Sequence, residues 1–236
     1  MASASRLSIT WLGHATFLLT TPGGKRIVTD PWLDGNPSCP DSMKKIDKAD
    51  LILLSHGHFD HVGDAVSVAR ATGATVVGIF ELCAWLESKG VQKTSPMNIG
   101  GTQKIGDIAV TMTMALHSSA VVEDGRALYL GEPAGYVITF EDGLRAYFAG
   151  DTAVFGDMRL IKELYAPQMA FLPIGDHFTM GPDAAAKATE LLGVRQVVPM
   201  HWGTFPLLTG TPARFKELVK PLNVDVLELK PGQTAQ

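Results

Sequence analysis

The chain has 236 residues, with 20 Lys+Arg against 24 Asp+Glu and a formal charge of −4. Hydrophobic residues make up 46% and charged residues 19%, which excludes intrinsic disorder and leaves enough apolar mass for a large core. No broad basic field is present to attract nucleic acid or an anionic membrane, and the apolar runs are far too short for a transmembrane segment.

The N-terminal MASASRLS carries one arginine and no apolar centre, so no secretory signal is expected there. Short β-branched and aliphatic runs at 6–11, 15–20 and 25–29 read as strands, with Pro22-Gly23-Gly24 as a hairpin turn. A loop rich in Pro, Gly, Asn and Asp follows from 30 to about 47. It contains Cys39, whose context is unrelated to that of Cys83; two such cysteines speak against a disulfide framework and for a reducing, cytoplasmic setting. LILLS at 51–55 is a continuous apolar run of the kind buried on both faces of a sheet. Helices are expected at 62–72 and 80–89, stopped by Gly73 and Gly90, with a strand at 75–79 between them.

The second half repeats the theme. Strands are expected at 107–116, 134–141 and 144–149, then a helix near 156–165 and a strand at 168–172. A helix at 182–192, a strand at 195–199, a helix at 212–220 and a strand at 224–229 complete it. Pro182 and Pro212 suit first helical turns, and Gly193 suits a helix stop. No linker composition and no repeat divides the chain, so a single α/β domain over 1–236 is expected, with two sheets packed together and helices outside.

The chemistry concentrates at the end of the 51–55 strand, in His56-Gly57-His58-Phe59-Asp60-His61. At this chain's own composition, H-x-H-x-D-H arises by chance on the order of a few times in ten thousand such chains. His56 and His58 are two apart, so an extended segment turns both imidazoles the same way; the turn into the next helix then swings Asp60 and His61 to a second position. One loop can thus offer two ligands to each of two metals. Further ligands must come from elsewhere, and His117, Asp151 and His201 each stand where an apolar strand meets a loop. A structural zinc site would be rich in cysteine and closed, whereas imidazoles with carboxylates suit catalytic zinc, manganese, iron or nickel.

From about residue 6 to 230 the chain resembles a metallo-β-lactamase-fold hydrolase. The carrying elements are Asp30 in TDP, HGHFDH at 56–61, His117, Gly150-Asp151-Thr152 and His201. TWLGHAT (10–16), DGNP (34–37) and PIGDHFTMGP (173–182) resemble a small bacterial group of metal-dependent hydrolases related to ascorbate-6-phosphate lactonase and N-acyl-phosphatidylethanolamine phospholipase D. The resemblance implies a four-layer αββα sandwich of two mixed sheets. It implies His56, His58 and His117 on one metal, Asp60, His61 and His201 on a second, and Asp151 bridging both. Asp30 would orient a ligand imidazole through its far N–H. The implied cofactors are two divalent ions, zinc first, and the implied reaction is attack by a bridging hydroxide on a small ester, lactone or phosphoester.

Asp60, His14 and His177 are the candidate catalytic residues. His14 reads either as an ordinary turn histidine or, through TWLGHAT, as a group reaching the mouth of the site. His177, beside Asp176, reads either as a leaving-group acid or as a solvated loop residue. Phe178, Met180, Phe205, Leu207 and Leu208 either line that mouth or fold back on the core, and 118–133 could act as a flap carrying Arg126. The expected partner is a small molecule, anionic and with an apolar portion; self-association into a homo-oligomer is left open. The competing classes are an iron-dependent oxidoreductase of persulfide dioxygenase type, which can keep H-x-H-x-D-H, and a nuclease, against which the acidic balance argues.

Overall fold

The computed structural model describes residues 6–236; residues 1–5, on which the reading of a missing leader rests in part, lie outside the described residues. In chain order the first strands are β1 (Ser8–Trp11), β2 (Phe17–Thr20), β3 (Arg26–Thr29), β4 (Leu51–Leu53), β5 (Thr75–Ile79), β6 (Thr94–Met97), β7 (Thr102–Ile105) and β8 (Ile108–Met114). They are followed by β9 (Ala120–Glu123), β10 (Arg126–Tyr129), β11 (Ala134–Thr139), β12 (Arg145–Phe148), β13 (Met169–Pro173), β14 (Gln196–Met200), β15 (Asp225–Val226) and β16 (Thr234–Ala235). The helices are α1 (Phe59–Val62), α2 (Ala65–Thr72), α3 (Phe80–Ser88), α4 (Met158–Tyr165), α5 (Pro182–Leu192) and α6 (Pro212–Val219).

The chain forms two compact units, each built on one seven-stranded mixed sheet. In the first unit the order is β16-β1-β2-β3-β4-β5-β6, antiparallel from β16 to β3 and parallel from β3 to β6. In the second it is β15-β14-β13-β12-β11-β8-β7, parallel from β15 to β12 and antiparallel from β12 to β7. Parallel neighbours need crossovers: a loop with one 3-10 turn (Asp41–Met43) joins β3 to β4, and helices supply the others, α1 and α2 joining β4 to β5, α3 joining β5 to β6, and α4, α5 and α6 joining β12 through β15.

The core of the second unit follows strand alternation. Val137, Tyr147, Ala170 and Val197 lie at matched register on neighbouring strands and share one face of the sheet. That face packs with Met158 and Ile161 of α4, Ala185, Ala188 and Leu192 of α5, and Phe215 and Val219 of α6. The alternate residues Tyr136, Phe148, Phe171 and Val198 are also buried, which is why these strands read as continuous apolar runs.

Several local expectations change. The helix expected at 62–72 is two helices. Val62 N–H still bonds within the turn, but Asp64 N–H bonds to the Pro31 carbonyl, and the Asp64 carboxylate accepts from Leu33 N–H at 2.6 Å. These long-range partners break the helical ladder after Gly63, and helix starts earlier than expected, at Phe59, inside the histidine motif. The 118–133 segment is the hairpin β9–β10, and the expected strand at 224–229 shrinks to two residues. The C-terminal segment then returns to pair with β1 through β16, inside a stretch whose Pro and Gly read as a turn. Met180 and Leu208 are buried, so of the five loop apolar residues these two fold onto the core.

Candidate metal centre

Both sheets offer the same kind of position. In the first unit Asp30 follows β3 and the histidine motif follows β4, so they meet at the carboxyl ends of adjacent parallel strands. β1 runs in the direction of β3, which brings the β1–β2 turn with His14 to that end too. In the second unit Asp151 follows β12, Asp176 and His177 follow β13, and His201 follows β14, with His117 after the co-directional β8. Strand ends of this kind are where open α/β sheets carry their sites.

Within the first unit the hydrogen-bond network assigns the imidazole tautomers. Asp30 is fully buried; its Oδ1 accepts from Ser55 N–H at 2.7 Å, and its Oδ2 accepts from Ser55 Oγ at 2.6 Å and from His61 Nδ1 at 2.8 Å. Because Ser55 gives its hydroxyl proton to Asp30, Ser55 Oγ accepts from His56 Nδ1 at 2.9 Å. His56 and His61 therefore carry their protons on Nδ1 and turn lone pairs outward at Nε2. Ser118 Oγ lies 3.3 Å from His58 Nε2. His56 Nε2 and His58 Nδ1 stand 2.9 Å apart.

Burial pushes the Asp30 carboxyl above its ordinary range, while the charge and hydrogen bond of His61 and the bonds from Ser55 pull it back. Asp30, His56 and His61 present donor atoms close enough together to hold one ion. Asp60, buried at the start of α1, accepts from His14 Nε2 at 3.0 Å through Oδ2, and the same oxygen lies 4.0 Å from His61 Nε2. His14 is itself fully buried.

Within the second unit Asp151 Oδ2 stands between two imidazoles, 3.0 Å from His201 Nε2 and 3.6 Å from His117 Nε2. Thr152 fixes the loop that carries Asp151: its Oγ1 accepts from Leu116 N–H at 2.9 Å, and its carbonyl accepts from Met180 N–H at 3.1 Å. His201 adopts φ 54°. A Cβ at Gly175 would stand 2.0 Å from the His201 carbonyl oxygen, so only glycine admits that turn. His177 is exposed, its ring edge-on to Phe178 at a centroid distance of 4.4 Å. No hydrogen bond from His177 to His117, Asp151 or His201 occurs among the described residues.

The donors fit a divalent ion: imidazole nitrogens and carboxylate oxygens, with far nitrogens held by hydrogen bonds, are the ligand chemistry of zinc, manganese and iron. Left-handed backbone recurs at the strand ends of both units. His14, Asp30, Asp176, His177 and His201 are five of the eight non-glycine residues with positive φ among the described residues. Such conformations concentrate where function holds them in place. Sequence reading missed Ser55, whose only signal was its position before His56.

Comparison with known proteins agrees with this chemistry. Residues 25–202 match the family model described as the beta-lactamase superfamily domain. A UPF0173 metal-dependent hydrolase of Solibacter usitatus is 54% identical over 230 residues, covering 98% of this chain and all of the relative. One of Rubrobacter xylanophilus is 54% identical over 228 residues, covering 95% and 94%. Igni18, described as a novel metallo hydrolase of Ignicoccus hospitalis, superposes with a TM-score of 0.86 at 38% identity, covering 97% of each chain. The two mixed sheets with their crossover helices are thus the α/β fold of these proteins. The chain belongs to the metallo-β-lactamase superfamily, and within it to the UPF0173 metal-dependent hydrolases.

Proposed function

We propose that the chain is a dinuclear hydrolase of a small ester, lactone or phosphoester, working in the cytoplasm with zinc as its first-choice metal. His56, His58, Asp60, His61, His117, Asp151 and His201 would hold two divalent ions, as the superfamily resemblance implies. The observation that carries this reading is the hydrogen-bonded chain through Asp30 and Ser55, which commits the Nδ1 protons of His56 and His61 and makes Nε2 the donor atom that each imidazole offers to a metal. When bound, two such ions supply a hydroxide nucleophile at neutral pH and polarise the substrate oxygen.

The chain's own residues do the rest. Asp30 and Ser55 keep His56 and His61 in the tautomer that binds through Nε2. Asp151, flanked by the imidazoles of His117 and His201, would offer them a carboxylate ligand. His177, exposed on the loop after β13, is the proposed donor to the leaving group. Exposed Phe178 and Leu207 favour a substrate with an apolar portion, and the bound charge favours an anionic one.

Metal quantification on protein purified without chelator, coupled to a panel of phosphodiester, lactone and thioester substrates, tests the reading. Two divalent ions per chain are expected, with metal and turnover both lost in His61→Ala and Asp151→Ala. Full turnover by metal-free protein would overturn it, as would oxygen uptake on a persulfide in place of hydrolysis.

A further inference from the structure

The TWLGHAT segment is not consumed by the ligand set, yet it is built with care. Trp11 Nε1 donates to the His14 carbonyl at 2.9 Å, and Leu12 N–H donates to the Thr16 carbonyl at 2.9 Å. Thr16 Oγ1 in turn donates to the Asp30 carbonyl at 2.7 Å, tying this turn to the backbone of Asp30. Gly13 sits at φ 95°, and a Cβ there would fall 2.9 Å from Ser38 Cβ, so no other residue fits the turn. His14 follows at φ 56°, fully buried, its ring edge-on to Trp32 at 5.2 Å. The turn serves to aim one imidazole, and what that imidazole meets is Asp60 Oδ2.

From this geometry we infer that His14 is a positioning residue for the Asp60 carboxylate, acting as a hydrogen-bond donor and not as a ligand or a proton-transfer group. The inference rests on the proposed role of Asp60 as a metal ligand. His14 Nε2 carries the proton it gives to Oδ2, so that nitrogen has no lone pair for a metal. Full burial removes it from the path of a substrate. Asp60 stands on the first turn of a four-residue helix, and its side chain has rotameric freedom that this bond removes. The bond also selects which oxygen turns toward His61 Nε2, because Oδ2 is the atom facing both histidines. Two ligands three bonds of chain apart are thus held from behind by separate groups: His61 by Asp30, and Asp60 by His14.

The test compares His14→Ala, His14→Gln and His14→Asn in zinc titrations against a chromophoric chelator, with the visible spectrum of the cobalt-loaded protein as a second readout. Gln places an amide N–H near the Nε2 position and cannot replace an imidazole as a ligand; Asn places its amide short of it. His14→Ala and His14→Asn are expected to weaken one of the two ions by about 10–100-fold and to change the cobalt spectrum of that site alone. His14→Gln is expected to stay within a few-fold of the parent chain. If His14→Ala does not fold, the Gln and Asn pair makes the same comparison. Parent-like affinity in both Ala and Asn variants overturns the inference, and so does a Gln variant as weak as Ala, which would mark a ligand or a packing role. A parent chain that binds no metal removes the underlying reading together with this one, whereas a parent that binds two ions beside unaffected variants removes only the role of His14.

Discussion

At the scale of single residues, Asp30 does the most with the least exposure. Its two oxygens accept three hydrogen bonds, two from Ser55 and one from His61, in a fully buried setting. An Asn there keeps the shape but sets an NH2 group against Ser55 N–H if it replaces Oδ1, or against Ser55 Oγ and His61 Nδ1 if it replaces Oδ2, and in either orientation His61 loses the negative charge behind it. Breaking a bond to a buried charged group costs about 1–3 kcal/mol. Loss of an outer partner of a ligand imidazole costs about 10–100-fold in metal affinity. Asp30→Asn is therefore expected to lower both, read by urea unfolding of the metal-free chain and by chelator competition. Parent-like affinity with only the stability loss would mean that Asp30 supports the fold without orienting His61.

Legibility at this scale followed chemistry. HGHFDH announced itself because imidazoles and carboxylates rarely crowd together by chance, and Asp30 was found through its TDP context. Ser55 was invisible because a serine at a strand end has many uses, and only its 2.6 Å and 2.9 Å contacts single one out. His14 was legible as a residue but not as a role: its aim toward Asp60 depends on Trp11, Gly13 and Ser38, which sequence alone does not bring together.

At the scale of elements, helices bounded by local chemistry were read closely and elements bounded by distant partners were not. α5 runs from Pro182 to Leu192 as Pro and Gly at its ends dictate. The α1–α2 break depends on Pro31 and Leu33, and β16 depends on pairing with β1 at the other end of the chain. α3 carries a testable property of its own. Cys83 is fully buried on it, and burial pushes its thiol up to about 12 from 9.0; Cys39, in the loop before β4, is pushed up to about 11. Below pH 9 each thiol keeps its proton in both folded and unfolded chains, so its contribution to stability is complete. Between pH 9 and about 11–12 the unfolded chain loses these protons while the folded chain keeps them, and stability falls as pH rises. The slope approaches about 1.4 kcal/mol per pH unit for each thiol. Urea unfolding of the metal-free chain at pH 8 to 11 is expected to show a shallower decline in Cys83→Ala than in the parent. Parallel declines would mean that the Cys83 thiol ionises as readily folded as unfolded.

At the scale of the whole molecule, the proposed ligands stretch from residue 56 to residue 201, and three of the seven, His117, Asp151 and His201, lie far in sequence from the 56–61 motif. An ion that binds the folded chain alone stabilises it by about 2.7 kcal/mol at a hundred times its dissociation constant. For a chain of this length that is a rise in Tm of roughly 5–10 °C. The HGHFDH segment works against the full value, because His56, His58, Asp60 and His61 lie within six residues and offer an unfolded chain a local site. The expected pattern is a Tm that rises with zinc concentration after chelator treatment, by less than the one-state figure. His201→Ala should flatten the rise by removing a distant ligand while leaving the local motif intact. Calorimetric scans of the stripped chain across a zinc series measure it. A Tm indifferent to zinc would mean that metal binding does not favour the folded chain, and a His201→Ala chain that responds as the parent does would mean that His201 takes no part in holding the metal.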